Sequence, residues 1–218
     1  MQFPTLQFAV FFLVVLAASW AVRRSRLAQK LFLLGASYFF YGFWDLRFLG
    51  LLLLSSLLDY VAGEMITRAK GRAARRGWLL FSIATNLALL GFFKYYNFFQ
   101  ANVAGLAELL GLRAHLPVLE VILPVGISFY TFQTMAYSIE LYQGKGVKAA
   151  SLLDFLLFVS FFPQLLLGPI CRSRDLLPQL LGEAPERIPD LPMAVSLIAS
   201  GLFKKMVLAT YLATHLVD

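Results

Sequence analysis

Phe161-Phe162-Pro163-Gln164-Leu165-Leu166-Leu167-Gly168-Pro169-Ile170 is apolar enough to lie in lipid, yet it holds two prolines, a glycine and a primary amide. Within hydrocarbon, a backbone amide or carbonyl without a partner costs several kcal/mol, so helix breakers survive at membrane depth only against protein or a wet cavity. Each proline removes one donor and crowds the preceding turn, and Gln164 brings an amide that lipid cannot satisfy. The run is therefore expected to face a protein interior. A kinked helix without a chemical role is the alternative reading. With residues 151–160 before it, the run reads as a re-entrant segment.

Outward from this run the composition agrees. Of the 218 residues, 60% are hydrophobic and 14% charged, against roughly 45–50% and 25% in soluble domains. The expected fold class is all-α: a polytopic transmembrane helical bundle with re-entrant or broken helices, over residues 1–218 and with no separate soluble domain. A first span over residues 5–22 is followed, not preceded, by Arg23, Arg24, Arg26 and Lys30. This order suits an uncleaved helix with its N-terminus outside. A hairpin of spans at 31–44 and 48–66, turning near Asp45, leads to a second basic loop with Arg68, Lys70, Arg72, Arg75 and Arg76. A fourth span is expected over 78–99, with Lys94, Tyr95, Tyr96 and Asn97 in the headgroup zone. A short interfacial helix within 100–119 and a fifth span over 121–142 complete the regular part. Residues 191–217 are apolar apart from Lys204 and Lys205, and suit either one crossing or a surface helix joined to a half-crossing. The net charge of +7 lies in loops beside these spans, so membrane orientation accounts for it and nucleic acid does not.

The fifth span concentrates polar atoms. Pro124 and Gly126 open it; Ser128, Thr131 and Ser138 form one stripe, and Tyr130, Gln133, Tyr137 and Glu140 form another. A membrane helix polar on two sides is surrounded by other helices, with a stripe near a pathway or cavity, unless interhelical hydrogen bonds account for every polar group. Lys204 and Lys205 should snorkel to the interface or meet an anion. His115 and His215 fall on no inward polar pattern and read as structural or solvated. The run from Gly144 to Lys148 (GKGVK) imitates a phosphate loop only superficially, lacking the Walker spacing. Cys171 sits beside Arg172, which could lower its thiol pKa, although a lone cysteine at a membrane boundary is ordinarily inert or lipidated. No spacing suits a metal site, and no bound cofactor is expected.

Five stretches carry a resemblance: Ser37 to Trp44 (SYFFYGFW), Gly91 to Phe99 (GFFKYYNFF), Leu123 to Gln133 (LPVGISFYTFQ), Phe161 to Ile170, and Gly201 to Lys205 (GLFKK). In this order they resemble the membrane-bound O-acyltransferase family, above all its bacterial alginate O-acetylation branch, with teichoic-acid D-alanylation proteins more distant. The resemblance implies transfer of an acyl group, acetyl in that branch, from a cytoplasmic donor through a tunnel to hydroxyls of an extracytoplasmic polysaccharide such as alginate. Acetyl-CoA or an acylated carrier would be the co-substrate. It further implies the bacterial inner membrane and periplasmic or soluble acetylation partner proteins. Members of the family are longer, with an essential histidine in their second half, and neither His115 nor His215 falls in its motif. The chain thus reads as the N-terminal part of such an enzyme, with no catalytic residue of its own. What carries over is the tunnel wall: Gly126, Ser128, Gln133, Pro163, Gln164, Gly168 and Pro169. A transporter or a non-catalytic scaffold subunit is the rival reading.

Overall fold

A computed structural model describes residues 5–109, 122–165, 170–182 and 190–212. Its helices are α1 (Leu6–Ala21), α2 (Arg26–Gly42), α3 (Leu46–Arg68), α4 (Arg72–Leu109), α5 (Ile127–Gln143), α6 (Leu152–Ser160), α7 (Phe162–Leu165), α8 (Ser173–Leu181) and α9 (Leu191–Phe203). A π-helical turn over Lys204–Ala209 leads into α10 (Thr210–Leu212). There is no strand among the described residues, so the all-α expectation holds. Among those residues three segments are long and apolar enough to cross a membrane: Leu46–Arg68, Arg72–Gln100 and Leu191–Ala209. The chain is a membrane protein.

The chain breaks near Asp45 as expected, between α2 and α3, with Asp45 accepting from the Arg47 amide at 2.9 Å as the N-cap of α3; the two helices do not pack extensively on each other, and α2 is too short to count among the crossing segments. Such a cap satisfies one of the amides that a helix start leaves open. The expected separation of the fourth span from an interfacial helix is corrected over the described residues. Helix α4 runs unbroken through Gln100 to Leu109, because no proline interrupts residues 72–109 and polar residues such as Gln100 and Asn102 are tolerated in a helix. Its 38 residues extend about 57 Å at 1.5 Å per residue, beyond a hydrocarbon core of about 30 Å.

The chain forms two compact units. The larger, residues 30–182, is built on α3, α4 and α5, each packed against the other two. Helix α6 lies on α3 and α5, and α8 packs on α6. Leu52, Ile66, Tyr137, Phe155, Phe158 and Leu177 fill the centre. Gly63 permits the close approach of α3 to α5, for a Cβ there would lie 2.8 Å from Tyr137 Cε1. In the smaller unit, residues 1–29 and 183–218, the Gln29 amide donates to Ser19 Oγ at 3.2 Å. None of the residues of α9 or of the π-helical turn is buried, and Lys204 and Lys205 begin that turn, both exposed.

Candidate functional site

The site is the break between α6 and α7. Helix α6 starts with Ser151, whose Oγ accepts from the Asp154 amide at 3.2 Å, and ends after Ser160. Pro163 lacks an N–H, and sits in the first turn of α7, where none is needed. The Phe162 amide, which would continue the ladder to the Phe158 carbonyl, donates to Ser37 Oγ of α2 at 3.3 Å. Two side-chain amides take its place on that carbonyl: Gln133 Nε2 of α5 at 2.8 Å and Gln164 Nε2 of α7 at 3.0 Å. Phe158 and Val159 are fully buried, and Gln133 and Gln164 nearly so. The break is thus closed by protein, which gives its backbone groups partners. Helices α6 and α7 with their joint span residues 152–165, about 21 Å, short of a full crossing.

Three of the five resemblance stretches, those at 37–44, 123–133 and 161–170, meet around this break. The Phe40 ring lies 5.7 Å from that of Phe162, and the Tyr41 hydroxyl donates to the Val125 carbonyl at 3.1 Å. Gly126, at φ 78°, turns the chain into α5 in a left-handed conformation that other residues adopt at a cost. The buried Tyr130 hydroxyl sits beside that of Tyr41 without a well-formed hydrogen bond of its own. Ser128 is half-buried and joins neither polar cluster. Gly168 and Pro169 lie outside the described residues, as do His115 and His215.

The second expected stripe of α5 looks onto protein. Beyond Gln133, the Tyr137 hydroxyl accepts from the Ala149 amide at 3.3 Å, and Glu140 Oε2 accepts from the Ser173 amide and hydroxyl. The stripe with Ser138 faces a different cluster. Asp59 of α3 accepts from Ser82 Oγ at 2.7 Å and from Asn86 Nδ2 at 2.8 Å, both on α4. Ser82 and Ser138 hydroxyls lie 2.9 Å apart, and the Thr134 hydroxyl reaches Asn86 Oδ1 at 3.2 Å. Every one of these groups is buried. The cluster cross-links the three central helices within their apolar spans. Asp59, Ser82, Asn86 and Thr134 are not among the residues singled out from the sequence. The signal that points to them is an acid inside an apolar span, which must find partners.

Two readings outside the break are decided by geometry. The run 144–148 has its first four amides in use: Gly144 N–H donates to the Leu141 carbonyl, Lys145 and Gly146 to that of Glu140, and Val147 to Ser173 Oγ. It is a helix C-cap around Gly144 at φ 70°. For Cys171, burial pushes the thiol pKa up and Asp175 adds to this, so Arg172 does not activate it. At the basic end of the bundle, Arg75 Nε donates to the Ile66 carbonyl at 3.2 Å and its Nη2 to that of Tyr142 at 3.0 Å. It thereby ties the C-terminal ends of α3 and α5, where a cation is favoured.

No protein-family model matches the chain, and no solved structure matches it significantly. The chain is 33% identical to the peptidoglycan O-acetyltransferase of Helicobacter pylori, over 91% of this chain and 41% of that protein. It is 34% identical to "Probable alginate O-acetylase AlgI" of Azotobacter vinelandii, over 85% and 37% of the two chains. Against the protein of the same name from Pseudomonas putida the identity is 35%, over 85% and 38%. The chain spans about two fifths of the length of these curated relatives. Sequence identity over most of the chain makes these members of the membrane-bound O-acyltransferase family its homologues, in keeping with its all-α membrane architecture.

Proposed function

We propose that the chain supplies the tunnel-wall part of a membrane O-acyltransferase that moves an acyl group, acetyl by the names of its relatives, onto an exported polysaccharide. The donor is a cytoplasmic thioester, acetyl-CoA or an acylated carrier. The acceptor is a hydroxyl of an extracytoplasmic glycan of the alginate or peptidoglycan class. In this reaction the hydroxyl oxygen attacks the acyl carbonyl carbon, the carbon–sulfur bond breaks, and the hydroxyl proton passes through a base to the departing thiolate. The base is a histidine contributed by sequence outside this chain or by a partner, and fixed donors stabilise the oxyanion. The chain's share is to hold an interrupted helix inside the bilayer. The N-terminus faces outward, the basic loops face the cytoplasm, and the membrane is the bacterial inner membrane. Periplasmic or soluble acetylation proteins act with it.

The observation that supports this reading is the Phe158 carbonyl held by Gln133 and Gln164. A helix interrupted at membrane depth and held largely by protein is the construction that lines a path for a polar group through lipid. By the resemblance, Gly126, Ser128, Pro163, Gly168 and Pro169 are assigned to the same wall, and Lys204 and Lys205 are candidate contacts for an anionic group. The test is Gln164→Ala in a reconstituted protein of the relatives' full length, with its melting followed in parallel. Loss of polymer acetylation at a temperature where the variant stays folded supports the assignment. Undiminished acetylation removes this segment from the pathway.

A further inference from the structure

At the basic end of the larger unit the junction of α3 and α4 leaves an open cavity of about 610 Å³, lined by Ala69, Gly71, Arg72, Arg75 and Tyr142. A second of about 370 Å³ adjoins it, sharing Arg72 and Tyr142 and adding Ala73 and Arg76. The combined space is in the range of small-ligand sites, and its charge is of one sign. Among the described residues none of these three arginines has a carboxylate partner. Glu64, the acid at the same end, is engaged by Arg68 at 2.8 Å and Lys148 at 2.7 Å.

The three arginines differ in freedom. Arg75 is fixed by the carbonyls of Ile66 and Tyr142 and lies over the Tyr142 ring, 5.6 Å from its centroid. Arg72 and Arg76 are exposed on successive turns of the same helix. Helix α4 begins here with no acidic residue in its first turn, so cationic side chains stand at the positive end of the helix dipole. Among the described residues no carboxylate offsets that arrangement, whereas a bound anion would. Guanidinium forks match phosphate oxygens in pairs. We infer that this arginine-lined cavity binds a phosphate group, either the headgroup of an anionic lipid or a soluble diphosphate. The site does not depend on acyl transfer, and its test reads binding alone.

The full chain, purified in detergent, is titrated in one arm with phosphatidylglycerol followed by native mass spectrometry, with phosphatidylcholine as the neutral comparison. In the other arm inorganic pyrophosphate is followed by thermal shift. Arg72→Gln/Arg76→Gln removes the two free guanidiniums. Arg24→Gln/Arg174→Gln removes the same charge where neither residue lines the cavity. The expected result is saturable binding in at least one arm, weakened by about tenfold or more in the first variant, since each charge-assisted contact contributes on this scale. The control variant should stay within about twofold of the parent. Binding of phosphatidylglycerol alone assigns a lipid headgroup, and binding of pyrophosphate assigns a soluble phosphate compound. No saturable binding in either arm, or equal weakening by the two variants, overturns the site.

Discussion

Removing Gln133 and Gln164 singly and together measures what the α6–α7 break costs when it loses its partners. Each Nε2 donates to one Phe158 carbonyl, at 2.8 Å and 3.0 Å. Replacing either glutamine by leucine keeps the apolar bulk and leaves the carbonyl with the other amide. The expected loss is about 1 kcal/mol per single substitution, the net worth of one such bond, and in membrane proteins often less. The double variant leaves the carbonyl buried and bare of side-chain donors, adding a desolvation penalty of about 1–3 kcal/mol. Its destabilisation should therefore exceed the sum of the singles by about 1–3 kcal/mol, on the scale of coupled neighbours. Denaturant-induced unfolding in mixed micelles, followed by circular dichroism for all four proteins, gives the cycle. A double variant equal to the sum within about 0.5 kcal/mol would refute the shared-carbonyl argument.

Asp59→Ala withdraws the shared acceptor from Ser82 and Asn86 and should cost on the order of 1–3 kcal/mol in the same assay, since buried donors lose a partner and keep only Ser138 Oγ and the Ser82 carbonyl. Gly63→Ala should destabilise by about 1–3 kcal/mol through its clash with Tyr137. Gly50→Ala, with open space around the new methyl, should be neutral or stabilising by up to about 1 kcal/mol. The Arg47 side chain and amide hold the half-buried Asp45 carboxyl below the usual carboxylate range. Its contribution to stability is thus present above that range and lost as pH falls through the lowered value. A carboxyl-carbon NMR titration should show the low midpoint, and Arg47→Ala should raise it towards about 3.9. Cys171, with its thiol pushed up by burial and Asp175, should react with iodoacetamide at neutral pH more slowly than free cysteine, read by mass spectrometry.

The helices were legible because the sequence separates apolar runs from basic loops, and α1, α2 and α3 follow those runs, although of these three only α3 is long and apolar enough to cross a membrane. The length of α4 was not, since the polar residues near Gln100 suggest an interface while the backbone needs only the absence of a breaker. At the break, Pro163 and Gln164 mark irregular backbone by composition. That Gln133 shares their carbonyl depends on a contact between residues 25 apart in sequence, which no local pattern encodes. The Asp59 cluster joins three helices through side chains 23 to 56 positions apart. Its acid is visible as an ionisable residue in an apolar span, whereas the choice of Ser82 and Asn86 as partners is made by helix packing.

Photolabelling from the acyl chains of diazirine lipids, in vesicles holding the full chain, addresses the break most directly. Val159 and Gln164, both buried, should be labelled near background, whereas Leu54 and Leu57, 52% and 46% exposed on α3, should be labelled strongly. Labelling of Gln164 as heavy as that of Leu54 would mean that fatty tails reach the interrupted backbone, and would contradict the enclosed path.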